Sequence, residues 1–140
     1  MNKNINVKAI FVNLPVKNIE ETRNFWTKLG FEFNEQFCDN KALCLVLNDG
    51  CIYAMLISYE FYSTFTNRPI AEGSTTQVLL AIDVGSRERV DDIMKIALEN
   101  GATRYMEPSD GGWMYYDRFE DLDGHQWEVM YADETLIPGE

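Results

Sequence analysis

The predicted order of strands and helices occurs twice along the chain, and this repeat restricts the fold more than any other feature of the sequence. The first half contains a strand (8–16), a helix (19–29) and three extended segments (31–37, 42–48 and 51–57). The second half contains a strand (78–84), a helix (87–100) and three extended segments (102–108, 112–121 and 125–132). The sequence therefore predicts two successive βαβββ modules.

Residues with strong local preferences mark the ends of these elements in both halves. Asn18 and Ser86 precede the two helices, and their side-chain oxygens suit the N-cap position. Gly30 and Gly101 follow the helices, where the left-handed conformation that ends a helix favours glycine. The segment 48–50, Asn-Asp-Gly, predicts a tight turn between the last two strands of the first half.

One βαβββ module leaves one face of its sheet uncovered, because its single helix covers only the other face. Two modules side by side, with their helices outside, form a curved mixed sheet around a cleft, and such a cleft suits a small ligand. We therefore expect an α+β fold in a single domain spanning 1–140. The modules are 7–58 and 76–132, and the linker 59–75 contains a short helical turn.

Composition excludes several classes of function. The 140 residues are 46% hydrophobic and 25% charged, which is typical of a globular domain. Twelve basic and 23 acidic residues give a net charge of −11, which repels nucleic acid and anionic membranes. No apolar run approaches the roughly 20 residues that span a bilayer. The N-terminus lacks the pattern of a signal peptide, so we expect a cytoplasmic protein with no nucleic-acid or membrane partner.

Three cysteines, Cys38, Cys44 and Cys51, lie in or between the predicted strands of the first half. Their odd number and the absence of a CxxC pair favour reduced thiols over a disulfide framework. A catalytic thiol needs a basic neighbour that stabilises the thiolate, and no basic residue directly adjoins any of the three in sequence. We interpret them as small apolar residues of the strands.

Two motifs at opposite ends of the repeat resemble those of a known superfamily. The first runs from the strand Phe11–Val16 through Asn18–Glu20 to Asn24–Phe31, which ends in Leu-Gly-Phe. The second is Phe119–Glu128, Phe-Glu-Asp-Leu-Asp-Gly-His-Gln-Trp-Glu. Together with the repeat they resemble the vicinal oxygen chelate superfamily over about 7–132. That superfamily includes glyoxalase I, bleomycin-resistance proteins, extradiol dioxygenases and fosfomycin-modifying enzymes.

The resemblance implies four positions that hold a divalent metal in the metalloenzymes of the superfamily. Here they are occupied by Phe11, Met55 or Leu56, Leu79 and Glu128. A metal ion needs about three N, O or S donors, and only Glu128 is a suitable one. A shift of one residue would substitute Asn13 or Gln77. His125 precedes Glu128 by three residues and would point to the opposite face of a strand. We therefore expect no resident metal and no cofactor, as the resemblance implies for the bleomycin-resistance type.

Glu128 is the principal candidate for ligand binding. In the last strand Gln126, Glu128 and Met130 alternate with Trp127 and Val129. The bulky apolar set should face the helix, so Glu128 should face the cleft, paired with a cation such as Arg118 or Arg104. The other candidates for ligand contact are Asn13, Tyr53, Gln77, Trp113 and Tyr115, with Tyr105 and Tyr116 in the same aromatic cluster. The aromatic residues alternatively pack in the core or in a dimer interface.

Three functions remain open at the level of sequence. The leading one is metal-free binding of a small organic molecule, cationic or aromatic, in the cleft of a homodimer. The second is a metal-dependent, glyoxalase-like lyase of the lactoylglutathione-lyase type. It would use Glu128 as a catalytic or metal-binding residue, together with Gln77 or Asn13. The third is an interaction module whose aromatic residues form a homodimer interface.

Overall fold

The computed structural model describes residues 4–139 and has two compact units, with the boundary between Ile70 and Ala71. The first unit comprises β1 (Ile10–Val16), α1 (Ile19–Lys28), β2 (Glu32–Phe33), β3 (Ala42–Asn48), β4 (Ile52–Ser58) and α2 (Tyr59–Tyr62). The second comprises β5 (Leu79–Asp83), α3 (Arg87–Glu99), β6 (Ser109–Asp110), β7 (Met114–Glu120) and β8 (Gln126–Ala132). The predicted βαβββ order is confirmed in both units.

Each unit contains one four-stranded mixed sheet, and the two sheets have the same topology. The strand orders are β1-β4-β3-β2 and β5-β8-β7-β6. In each sheet the first strand runs parallel to the last, and the remaining neighbours are antiparallel. Asn13 pairs with Met55 in the first sheet, and Ala81 pairs with Glu128 in the second. The predicted α+β class is therefore confirmed, and the structure has two separate, open mixed sheets.

The residues predicted to begin and to terminate the two helices occupy those positions in the structure. The Asn18 side chain accepts a hydrogen bond from the Glu21 N–H (3.0 Å), and Ser86 Oγ accepts one from the Arg89 N–H (3.1 Å). Gly30 has a φ of 96° and Gly101 a φ of 104°, in the left-handed region that glycine adopts without strain.

Each helix of the repeat packs against one face of its own sheet. In the first unit Trp26 on α1 is 1% exposed, and its ring meets those of Phe25 and Phe31 edge to face. In the second unit α3 packs against β7 and β8, and Trp127 and Val129 are fully buried. The apolar half of each alternating strand therefore faces the helix, as the pattern predicts.

The structure differs from the sequence pattern at two of the predicted strands. In place of a strand over 31–37, β2 has two residues and a 3-10 turn follows over Glu35–Phe37, since the Asn34 side chain caps the Gln36 N–H. The segment 102–108 is not a strand, apart from a single bridge between Thr103 and Glu120. The carbonyl of Glu107 accepts a hydrogen bond from the Arg118 side chain, so side-chain contacts replace a continuous ladder there.

The predicted helical turn in the segment 59–75 is α2. Across residues 4–139 no helix combines the length and the apolar character that crossing a membrane requires.

Candidate functional site

The side of the second sheet opposite α3, here called the second open face, carries Glu128. Trp127 and Val129 are buried against the helix, whereas Gln126, Glu128 and Met130 remain partly exposed. Strand alternation therefore places Glu128 away from the helix, as the sequence predicts.

Arg118 lies directly opposite Glu128 in the pairing of β7 with β8. Its Nε is 3.8 Å from Glu128 Oε2, beyond hydrogen-bond distance. The two terminal nitrogens donate instead to the Glu107 carbonyl and to Ser109 Oγ, and the guanidinium lies 4.5 Å from the centre of the Tyr116 ring. Arg118 is thus held by other partners and neutralises Glu128 without occupying its oxygens.

Glu128 keeps its full capacity to accept hydrogen bonds. Its side chain is 25% exposed, that of Arg118 is 9% exposed, and no described residue donates a hydrogen bond to the carboxylate. An ionised carboxylate in this setting is accessible to a ligand, and hydrogen bonds to ionised groups are the stronger kind. The arrangement can bind a group that carries N–H or O–H donors.

Tyr105 lies close to this pair of charges. It follows the Thr103–Glu120 bridge by two residues, and its hydroxyl oxygen is buried with no hydrogen-bond partner among residues 4–139. Burial raises the pKa of the Tyr105 hydroxyl, and the charges of Glu128 and Glu120 raise it further. The hydroxyl therefore stays protonated at neutral pH.

Arg104, the other cation predicted as a partner of Glu128, forms its ion pair with a different residue. Arg104 pairs with Asp117 on the helix-bearing side, with distances of 3.0 Å from Nε to Oδ1 and 2.7 Å from a terminal nitrogen to Oδ2. Of the two predicted partners, Arg118 is the one that the structure brings to Glu128.

Tyr115 lies on the helix-bearing face and not beside Glu128. Its hydroxyl donates to Asp91 Oδ1 on α3 at 2.5 Å, and the Arg87 guanidinium is 4.9 Å from the centre of its ring. The hydrogen bond to Asp91 is the main cause that raises the pKa of Tyr115 to about 12. Its neighbour Tyr116 is the aromatic residue of the second open face.

The other sequence candidates of this unit lie outside the strands. Gln77 is exposed and precedes β5. Trp113 is partly exposed, and its carbonyl accepts a hydrogen bond from the Asp133 N–H at 2.6 Å. Neither has a described contact with Glu128.

Asn13 and Tyr53 belong to the first unit, on the side of its sheet opposite α1, here called the first open face. Phe11 pairs with Tyr53 in the sheet, and their rings are stacked with centres 5.0 Å apart. Phe11 is 50% exposed, and Asn13 is exposed beside Met55. This face offers a flat aromatic surface and a free amide edge to solvent.

A shallow cavity of about 160 Å³ lies elsewhere in the first unit. It is lined by Lys41, Ser58, Glu60, Phe61 and Thr64. Ser58 Oγ accepts the Phe61 N–H, and Thr64 donates to the Phe61 carbonyl. The hydroxyl groups that line this cavity therefore bond the backbone at the two ends of α2. We do not assign the candidate site to the cavity.

Sequence reasoning named Tyr105 and Tyr116 in the candidate aromatic cluster but did not distinguish them, as neighbours of Glu128, from Tyr115 and Trp113. The available signal was strand parity: a residue two positions from Arg118 shares its face, which selects Tyr116 and excludes Tyr115. That count requires knowing that Arg118 pairs with Glu128, which depends on the register of β7 and β8.

The side chains at the four metal positions do not fit a metal ion. The first unit supplies Phe11 and Met55, and the second supplies Leu79 and Glu128, so there is one oxygen donor and it faces a guanidinium. Within the part of the chain that the structure describes, no three His, Cys, Asp or Glu side chains converge in a way that could hold a metal ion. We assign no chemical step to a metal.

The chain matches a family model and several solved structures. The model of the glyoxalase/bleomycin resistance protein/dioxygenase superfamily matches residues 8–129. The hypothetical protein SA1046 from S. aureus is 23% identical, with a TM-score of 0.75 over 90% of this chain and 95% of that chain. A glyoxalase/bleomycin resistance protein/dioxygenase family enzyme from Burkholderia phytofirmans PsJN is 22% identical, with a TM-score of 0.73 over 87% of this chain and 96% of that chain.

A glyoxalase/bleomycin resistance protein/dioxygenase from Nocardioides is 20% identical, with a TM-score of 0.69 over 99% of this chain and 91% of that chain. No curated protein matches the sequence. At these identities the similarity to solved structures establishes the fold alone.

Proposed function

Since the chain belongs to the glyoxalase/bleomycin resistance protein/dioxygenase superfamily, we propose that it binds a small cationic organic molecule without the help of a metal ion. The binding group is Glu128 on the second open face. The observation that carries this proposal is the state of the Glu128 carboxylate: it is partly exposed and next to a fixed guanidinium, and no residue within 4–139 donates a hydrogen bond to it.

The charge balance around Glu128 favours a cation. Glu120 lies two residues from Arg118 on β7 and therefore shares its face, so two carboxylates accompany one guanidinium. The net charge of −11 adds a long-range attraction for cations. A charge-assisted hydrogen bond to Glu128 contributes about 1.5–3 kcal/mol.

The space beside Glu128 supports the same assignment. On one side Arg118 occupies β7, and on the other Ala81 occupies β5. Ala81 is exposed and has only a methyl side chain, so a ligand group can reach the carboxylate over β5. A larger side chain at this position would obstruct that approach.

The first open face contributes a separate surface for aromatic groups. Stacking on the exposed ring of Phe11, which Tyr53 supports from its other side, contributes on the order of 0.5–1.5 kcal/mol beyond buried area. The Asn13 amide on the same strand can orient a polar substituent.

A thermal-shift screen tests the proposal. The probes are primary amines, amidines and quaternary ammonium compounds, each with and without an aromatic ring, measured in the presence of a chelator. The variants are Glu128→Gln, Ala81→Leu and, as a control with the same change of charge, Glu72→Gln at an exposed position before β5. We expect stabilisation of the wild type and of Glu72→Gln, and loss of that stabilisation in the other two variants.

The metalloenzyme hypothesis predicts a different outcome. Stabilisation that requires added Zn²⁺, Mn²⁺ or Ni²⁺ and disappears in Glu128→Gln would overturn metal-free binding. Equal stabilisation of the wild type and of Glu128→Gln by every cation would remove Glu128 from the site. A screen that finds only anionic ligands would contradict the charge argument.

A further inference from the structure

Two of the three cysteines meet in the first unit. Cys38 follows the 3-10 turn Glu35–Phe37, and Cys44 lies in the middle of β3. The chain turns back between them, because the Asp39 N–H donates to the Ala42 carbonyl at 2.9 Å. As a result the Cys44 backbone N–H donates to Cys38 Sγ at 3.3 Å.

The two thiols differ in exposure. Cys44 is fully buried, and burial is the main cause that raises the pKa of its thiol, with the neighbouring Cys38 adding to it. Cys38 is partly exposed, and its own thiol donates to the Asn34 carbonyl at 3.3 Å. A small oxidant can therefore reach Cys38 and is excluded from Cys44.

The fold also brings a basic residue from α1 to the 3-10 turn that precedes Cys38. Arg23 on α1 forms an ion pair with Glu35, with distances of 2.8 Å and 3.2 Å. The hydrogen bond from Arg23 to Glu35 is the main cause that raises the pKa of Arg23, and Cys38 contributes to the same shift. Cys38 Sγ thus accepts the Cys44 backbone N–H and lies near the guanidinium of Arg23.

From this geometry we propose that Cys38 and Cys44 are a modification site that a peroxide converts to an intramolecular disulfide in the folded protein. The Cys38 thiolate attacks a peroxide oxygen and the O–O bond breaks, which gives a sulfenic acid and reduces the peroxide to water or an alcohol. The Cys44 thiolate then attacks the Cys38 sulfur. The S–O bond breaks, hydroxide leaves and takes up the proton that Cys44 released, and the disulfide forms.

The modification would act on the first open face. Cys44 pairs with Met55 in the sheet, and Met55 pairs with Asn13, so the three residues form one row across the strands. A disulfide would replace the contact of Cys38 Sγ with the Cys44 N–H and would join the segment that precedes β3 covalently to the middle of that strand. This proposal is independent of ligand binding at Glu128.

Oxidation of the folded full-length chain tests the proposal. The protein is treated with hydrogen peroxide without denaturant, quenched with a thiol-alkylating reagent and analysed by peptide mass mapping. We expect one peptide pair linked through Cys38 and Cys44, with two hydrogen atoms lost, and an alkylated Cys51. The free thiols should fall from three per chain to one, and dithiothreitol should restore all three.

Serine variants provide the controls. Cys51→Ser should retain the loss of two thiols, whereas Cys38→Ser and Cys44→Ser should form no intramolecular disulfide. In Cys44→Ser, Cys38 should advance to the sulfinic acid because no thiol resolves its sulfenic acid. Circular dichroism before oxidation checks that each variant is folded.

Three results would overturn the proposal. They are a linked pair that includes Cys51, a disulfide between chains, or a Cys38–Cys44 link that forms only in denaturant. The wild-type map alone decides between these outcomes if a variant fails to fold.

Discussion

Asp121 is the buried carboxylate on which the turn between β7 and β8 depends, and its replacement by asparagine should destabilise the protein. It is 8% exposed. Its Oδ1 accepts the backbone N–H groups of Asp123 (2.9 Å) and His125 (3.0 Å), and Oδ2 accepts the indole N–H of Trp127 (3.0 Å). These bonds hold the turn between β7 and β8 together and tie it to the buried ring of Trp127.

The expected loss of stability in Asp121→Asn follows from the three N–H groups that donate to the Asp121 carboxylate. Asparagine has one carbonyl oxygen, and its amide nitrogen donates rather than accepts. If the oxygen keeps the two backbone partners, the amide nitrogen faces the Trp127 N–H and leaves this buried donor unsatisfied. Such a loss costs about 1–3 kcal/mol. Burial raises the pKa of Asp121, since it penalises the charge, and Asp121→Asn removes that penalty. We therefore expect a net loss near the middle of that range.

Urea unfolding at neutral pH measures the free energy of unfolding that Asp121→Asn removes. A double-mutant cycle shows how much of this loss comes from the bond to the Trp127 indole. Trp127→Phe removes the indole donor, so Asp121→Asn should cost about 1 kcal/mol less in that background. Trp113→Phe is the matched control, because Trp113 is partly exposed and has no described contact with Asp121. Additive effects in the Trp127 cycle, or a loss below about 0.5 kcal/mol for Asp121→Asn alone, would refute the role of the indole bond.

Two further predictions concern packing and titration. Trp26→Ala should lower the free energy of unfolding by roughly 3–5 kcal/mol in urea, because the ring is fully buried, and a loss below about 1 kcal/mol would contradict its place in the core. Tyr115 has a pKa of about 12 when folded and about 10 when unfolded, so its stabilisation is present below pH 10 and is lost as the pH rises through 12. In an ultraviolet titration, Asp91→Asn should move the ionisation of this tyrosine toward pH 10, and an unchanged midpoint would exclude the bond to Asp91 as its cause.

The ends of the helices were predictable because they depend on contacts within a few residues. Asn18 and Ser86 each bond an N–H three positions ahead, so the sequence itself contains both partners. The strand at 102–108 was predicted wrongly for the opposite reason: its pairing depends on residues distant in sequence, and the Arg118 side chain takes the Glu107 carbonyl that a ladder would have used. At 31–37 the missed contact was local, because the Asn34 side chain accepts the Gln36 N–H and begins a 3-10 turn.

The candidate site was predictable only in part. The orientation of Glu128 followed from its own strand, because Trp127 and Val129 alternate with it and both are bulky and apolar. The strand before it has tyrosines at two consecutive positions, 115 and 116, so alternation could not tell which one lies near Glu128. That choice is made by the register that sets Arg118 opposite Glu128, and this register depends on the turn at Asp121.

The repeat fixes the backbone at equivalent positions of the two units but not the chemistry. In the first sheet the polar residue is Asn13 on the edge strand and its partner Met55 is apolar, whereas in the second sheet the edge strand has Ala81 and its partner is Glu128. The same fold thus presents an amide beside an exposed aromatic ring in one unit and a carboxylate beside a small side chain in the other.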